Sequence, residues 1–201
     1  MSREPNAHVA IVLAAGGSRR LGRPKQLLTR DGETLVHRAV RLASATQPQR
    51  LLLVIGAHAV EMREAVADLA VEILVNNDWQ EGLASSLRAA AGALDESAPT
   101  LILGCDQPAL ELIHLQRLLA GAARSASGCA ATLHGVARGV PAVASVALLG
   151  EAHGLHGDSG LRGPLQRLPS VSTYLLEAAE LEFDLDTPAD VERAVADGLI
   201  D

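Results

Sequence analysis

Four short stretches of the chain are apolar almost without interruption: residues 8–14 (HVAIVLA), 50–56 (RLLLVIG), 71–75 and 100–104 (TLILG). A strand with one wet face alternates apolar and polar residues, whereas an unbroken apolar run predicts a strand covered on both faces. Between the runs lie stretches of helical period at 34–45, 59–69 and 83–94, with another at 110–123. Strands that alternate with helices of this length need crossover connections, which makes the sheet mainly parallel. The expected fold is therefore α/β, a three-layer α/β/α sandwich around a Rossmann-like sheet. Past residue 125 the rhythm loosens. Strands are expected at 128–134, 140–143 and 171–175, separated by a glycine-rich, loop-like segment at 150–163. Thr187 and Pro188 read as the N-cap and first position of a last helix, followed by Asp190 and Glu192. No linker, repeat or low-complexity tract divides the 201 residues, so a single domain spanning 1–201 is expected.

Composition narrows the function classes. Trp79, Tyr174 and Phe183 are the only aromatic residues, so the core must be built from Ala, Val, Leu and Ile. A reader of single-stranded nucleic acid needs aromatic platforms, and a net charge of −7 repels phosphate backbones; nucleic acid is not the expected partner. Cys105 and Cys129, the two cysteines, have no metal-like spacing and suit a reducing compartment. No apolar run reaches the roughly 18–20 residues of a membrane span, and residues 1–8 have no signal-peptide core. A cytoplasmic protein without a membrane partner is expected.

The first strand runs into Leu13, Ala14, Ala15, Gly16, Gly17, Ser18, Arg19, Arg20, Leu21, Gly22, Arg23, Pro24, Lys25 and Gln26. Glycines let backbone N–H groups approach an anion closely, and four cations in seven residues of an acidic chain suit a polyphosphate. Residues 17–22 match the glycines of a Walker A loop, but Arg23-Pro24 stands where Lys-Ser/Thr is required, and the dinucleotide fingerprint G-x-G-x-x-G is absent. Asp106 ends the fourth apolar run. A carboxylate there can hold magnesium over a triphosphate, or cap the helix that begins near Leu110. Asp184 and Asp186 share a face if their segment is extended. Gly82, Ser85 and Ser86 read as a helix start. His153 and His156 have no third metal ligand nearby in sequence and read as exposed loop residues.

The segment from Leu13 to Lys25 resembles the signature L-A-A-G-x-S-x-R-[M/L]-G-x-x-K of nucleotidyltransferases. More closely, it resembles the molybdenum-cofactor cytidylyltransferase group of the molybdopterin nucleotidyltransferase-like (NTP transferase) family. The resemblance continues in order through N-x-x-W-x-x-G-[L/M]-x-x-S (Asn76 to Ser86), C-D-Q-P (Cys105 to Pro108), G-D-x-G-[A/L]-R (Gly157 to Arg162) and D-[I/L]-D-T-P (Asp184 to Pro188). It implies a fold of the nucleotide-diphospho-sugar transferase type and transfer of CMP from CTP to a molybdopterin-type acceptor, with Mg2+ as cofactor. It implies Arg20, Lys25 and Asp106 as catalytic residues. The nucleotide would lie against Leu13, Ala14, Ala15, Gly16, Gly17, Lys25, Asn76, Gly82, Ser85 and Ser86. The metal would fall to Asp106 and Asp184, with Asp186 in reserve, and the acceptor to Asp158 and Arg162. Arg19 and Arg23 have no counterpart and are expected in solvent. Ser159 stands where the pattern commonly has Arg, and Val140 where His is frequent. Ala14-Ala15-Gly16 favours CTP over GTP by the same resemblance, and a molybdoenzyme or its maturation factor is the implied downstream partner. Guanylyl transfer, a sugar-1-phosphate acceptor and a non-catalytic cofactor-escorting subunit are the competing readings.

Overall fold

A computed structural model describes residues 7–94 and 98–201; the N-terminal segment weighed above for a signal peptide lies mostly outside the described residues. In chain order the strands are β1 (Val9–Leu13), β2 (Thr29–Arg30), β3 (Glu33–Thr34), β4 (Arg50–Ile55), β5 (Glu72–Val75), β6 (Thr100–Leu103), β7 (Ala130–His134), β8 (Ala137–Ala144) and β9 (Tyr174–Glu177). The helices are α1 (Leu35–Ser44), α2 (Ala59–Ala65), α3 (Leu83–Ala93), α4 (Leu112–Arg124), α5 (Val146–Gly150), α6 (Arg162–Arg167) and α7 (Pro188–Ala196).

Seven strands form one sheet in the order β5-β4-β1-β6-β8-β7-β9, and β2 and β3 pair separately. β1 lies between β4 and β6, parallel to both, with Ile11 opposite Leu52 on one side and Ile102 on the other. Alternate residues of these strands enter different layers. Ala10, Val12, Leu53 and Leu103 pack with Val36 and Val40 of α1 and Leu115 and Leu118 of α4. Ile11, Leu52 and Ile102 pack with Leu87 of α3, Leu148 of α5 and Leu165 of α6. That double coverage is why the strands are apolar throughout. The largest fully buried side chains are all Leu, Ile or Met, as the shortage of aromatics requires. The sandwich expected from the sequence is the one observed.

One strand departs from the parallel pattern, and several element bounds differ from those expected. β8 runs antiparallel to β6 and to β7, following β7 through a tight hairpin, and is longer than the 140–143 read from sequence. The late strand lies at Tyr174–Glu177 rather than 171–175, because Val171 sits in a short turn and is fully exposed. The 150–163 segment is not all loop, since a 3-10 turn spans Glu151–Gly154 and α6 starts at Arg162. α2 stops at Ala65, where three-residue turns such as Val66 N to Arg63 O replace helical bonds. The last helix begins as expected: Thr187 Oγ1 accepts from Asp190 N, and Asp190 Oδ2 accepts from Thr187 N.

Candidate active site

The carboxyl ends of β1, β4 and β6 open into a cleft of about 510 Å3. Its floor is the glycine-rich loop after β1, which leaves the sheet with Ala14 N donating to Val54 O and Ala57 N donating to Ala15 O. Gln26, buried, laces the loop from inside. Its Nε2 donates to Ala14 O (3.1 Å) and Gly16 O (2.7 Å), and its Oε1 accepts from Ser18 Oγ (3.2 Å). Ser18 Oγ in turn accepts from the backbone N of Lys25 (3.1 Å). Gly17 cannot carry a side chain without disturbance, since a Cβ there would fall 2.9 Å from the Trp79 ring.

Over this loop stand the charged residues. Lys25 Nζ bridges Asp106 Oδ2 (2.9 Å) and Asp186 Oδ1 (2.8 Å), and Arg20 Nη2 donates to Asp186 Oδ2 (2.7 Å). Eighty residues separate the two acidic segments, and one backbone bond, Leu185 N to Asp106 O at 2.9 Å, clips them together. Leu185 itself is buried, which turns Asp184 and Asp186 to the opposite side, as an extended segment requires. Gln107 supports the same junction: its Nε2 donates to Leu181 O (2.8 Å) and Val140 O (3.2 Å). The helix-cap alternative for Asp106 fails, because α4 is capped by Glu111.

The electrostatics follow from this crowding. Burial opposes the charge on Lys25, but Asp106 and Asp186 outweigh it and hold the ammonium above the ordinary lysine value. Partial burial likewise opposes the charge on Asp186, and Lys25 and Arg20 more than offset it, keeping that carboxyl below its usual range. On Asp184 the balance reverses: burial and then the Asp106 carboxylate outweigh the Lys25 charge and a hydrogen bond with Gln107, and push it up to about 7, although its outer edge meets solvent. Burial, then Asp106, raises the Cys105 thiol, so Cys105 is a packing neighbour and not a nucleophile.

The facing wall is the start of α3. Asn76 is buried and its Nδ2 donates to Ser85 Oγ (2.8 Å) and Ser86 Oγ (3.0 Å). Leu13, Ala15, Gly16, Gly17, Gly82 and Ser86 line the cleft, with Asp158 opposite. Ala14, Asn76 and Ser85 stand behind the lining: Ala14 belongs to the core, and Asn76 and Ser85 shape the helix start behind the wall. Arg162 is exposed at the head of α6 and also stands outside the cleft wall, because α6 packs its buried side, Pro164 and Leu165, against the sheet. Gly82, at φ +99°, is pressed against the Gly157–Asp158 turn, where a Cβ would meet Gly157 O at 2.5 Å. Ala84 N donates to that same oxygen. Arg19 is not simply solvated, as its guanidinium lies over the Trp79 ring at 5.7 Å. Sequence reasoning passed over Gln26, Gln107 and this stack. Gln107 sits inside a quoted motif and Gln26 directly follows one, but nothing in a motif shows a hydrogen bond turned inward. His153 and His156 are exposed, as read.

Among the described residues no three His, Cys, Asp or Glu form a ready-made metal cage. The donor set nonetheless fits a hard divalent cation. Asp106 and Asp186 already converge on one positively charged atom, Lys25 Nζ, and a third carboxylate, Asp184, stands beside them. A larger cleft, about 680 Å3, opens at the other end of the sheet, but among the described residues His8 is the only ionisable one that lines it. The chemistry belongs to the smaller one.

Comparison with known proteins places the chain in a family. The family model of the MobA-like NTP transferase domain matches residues 10–171. The chain is 32% identical over 166 residues to nicotine blue oxidoreductase of Paenarthrobacter nicotinovorans, covering 79% of this chain and 81% of that protein. It also matches the bifunctional GlmU proteins of Burkholderia, of whose length it spans about a quarter (24%). A nucleotidyl transferase from Methanothermobacter superposes with a TM-score of 0.80 at 25% identity, covering 96% of this chain and 98% of that one. Rv0371c of Mycobacterium tuberculosis, in a complex with manganese, superposes with a TM-score of 0.76 at 26% identity over 94% and 98%.

Proposed function

The chain belongs to the MobA-like NTP transferase domain family, and from that premise we propose that it moves CMP from CTP onto the phosphate of a molybdopterin-type acceptor. Pyrophosphate is the second product. The observation that carries this reading is the convergence of Lys25, Asp106 and Asp186 above a glycine loop, within a cleft of nucleotide size.

In this reading the amides of the loop at Gly16 and Gly17, with Lys25 and Arg20, take the charge of the triphosphate tail. Gln26 and Ser18 hold that loop in shape before the nucleotide arrives. An acceptor phosphate oxygen, already ionised near neutral pH, attacks the α-phosphorus in line. The bond from the α-phosphorus to the bridging oxygen breaks, and pyrophosphate leaves with the electron pair. No strong general base is needed, so positioning and charge neutralisation account for the catalysis. Asp106 and Asp186, with Asp184 beside them, would hold Mg2+, which supplies Lewis-acid neutralisation of phosphate charge. Asp158, which lines the cleft, and Arg162, outside it, would contact the acceptor. The preference for cytosine rests on the resemblance of Ala14-Ala15-Gly16 to the cytidylyl pattern, of which Ala15 and Gly16 line the cleft.

The test is pyrophosphate release from CTP or GTP with Mg2+ and a molybdopterin acceptor. Release that requires both CTP and the acceptor supports the reading. Equal release from GTP or with a sugar-1-phosphate removes its specificity, and nucleotide binding without any release replaces it by an escort role. A redox reading is favoured by the 32% identity with a protein named an oxidoreductase. Oxidation of a reduced nicotinamide dinucleotide, with no pyrophosphate formed, would put that reading first.

A further inference from the structure

The two carboxylates that face the glycine loop are already neutralised by the loop's own cations. Lys25 Nζ lies within 2.9 Å of both Asp106 and Asp186, and Arg20 holds the second oxygen of Asp186. The Lys25 side chain is 18% exposed and the Asp106 and Asp186 carboxyls 30% and 36%, so solvent screens this arrangement only in part. Its backbone N is pinned to Ser18 Oγ, while the head group rides on a flexible four-carbon stem. The anchor is fixed and the charge is movable.

We propose that Lys25 is an internal counter-ion that keeps the Asp106–Asp186 pair closed to a divalent cation until a phosphate chain draws the ammonium away. A divalent ion entering this pair would meet a like charge about 3 Å off, a strongly unfavourable contact in a partly buried site. Phosphate oxygens in the loop offer Lys25 an alternative partner. Once it moves, two carboxylates are left with a charge that the metal neutralises. Metal and nucleotide therefore bind as a coupled pair, and by linkage each raises the other's affinity by the same factor. The first half of the proposal concerns the nucleotide-free protein; only the coupling rests on the nucleotide reading above.

The experiment is a Mn2+ titration of the full chain, following free Mn2+ by electron paramagnetic resonance. Without nucleotide, Lys25→Met should bind Mn2+ more tightly than the unaltered protein, by on the order of tenfold. Adding Asp106→Asn to that variant should abolish the gain. With a non-hydrolysable CTP analogue at saturation, the unaltered protein should gain on the order of tenfold in Mn2+ affinity, and Lys25→Met much less. Lys25→Gln, neutral but polar, provides a second variant, with circular dichroism to establish that each is folded. A folded Lys25→Met or Lys25→Gln that binds Mn2+ no tighter than the unaltered protein overturns the proposal. Failure of the unaltered protein to bind the CTP analogue would count against the nucleotide reading, and the nucleotide-free comparison would still decide the role of Lys25.

Discussion

Gln26→Leu isolates the part of the site that the motif does not advertise. Leu has nearly the volume of Gln, so little packing is lost, but both donors and the acceptor disappear. Ala14 is 2% exposed, so its carbonyl cannot be rewetted and loses its Nε2 partner outright. A buried acceptor left alone costs about 1–3 kcal/mol. Gly16 is exposed and can recruit water, so its share is about 0.5–1.5 kcal/mol. Together these give roughly 2–4 kcal/mol, which for a chain of this size lowers Tm by roughly 5–12 °C. The released loop should also lose its preformed shape, and CTP affinity should fall with it. Differential scanning calorimetry and calorimetric CTP titration read the two effects. Arg23→Ala is the control, since Arg23 is exposed and no ion pair or hydrogen bond of its side chain is seen among the described residues. A Gln26→Leu protein with the melting temperature and CTP affinity of the unaltered chain would refute the claim that this side chain holds the loop.

Asp106→Asn should abolish pyrophosphate release while changing Tm little, because Lys25 keeps its partner in Asp186; a variant with most of its turnover would show that Asp106 has no direct part. Gly82→Ala forces a Cβ to within 2.5 Å of the Gly157 backbone at φ +99°, and should cost at least about 2 kcal/mol in urea unfolding. Stability near that of the unaltered chain would mean that the Gly157–Asp158 turn yields freely. Asp184, pushed up to about 7, keeps its proton in the fold where the unfolded chain has released it, so its contribution to stability is lost as pH rises from about 4 to 7. Melting of the metal-free protein should thus show Asp184→Asn gaining on the unaltered chain over that range; a difference independent of pH contradicts the assignment.

The buried strands are legible because their apolar runs carry the period of an element covered on both faces, and such periods are written within a few residues. The same holds for the cap of α7, where Thr187 accepts from the backbone N–H three residues ahead. The glycine loop, the acid at the end of β6 and the acidic pair before α7 are also local marks, and each is found at or beside the cleft. The exceptions are instructive. Asn76 and Ser85 fall in a matching motif yet face inward, and a motif records which residues occur, not where they point. β8 gives the same apolar signal whether it runs up or down, so its antiparallel sense was not readable.

What the sequence alone determined, then, is the local inventory: strand, helix, cap and the residue types able to handle phosphate. The tertiary structure decided the meetings. It set β1 between β4 and β6, clipped Leu185 to Asp106, and brought Asp186 rather than Asp184 onto Lys25 across 161 positions of chain. Those contacts depend on how two layers of helices pack against one twisted sheet, and no periodicity within a single segment encodes that packing.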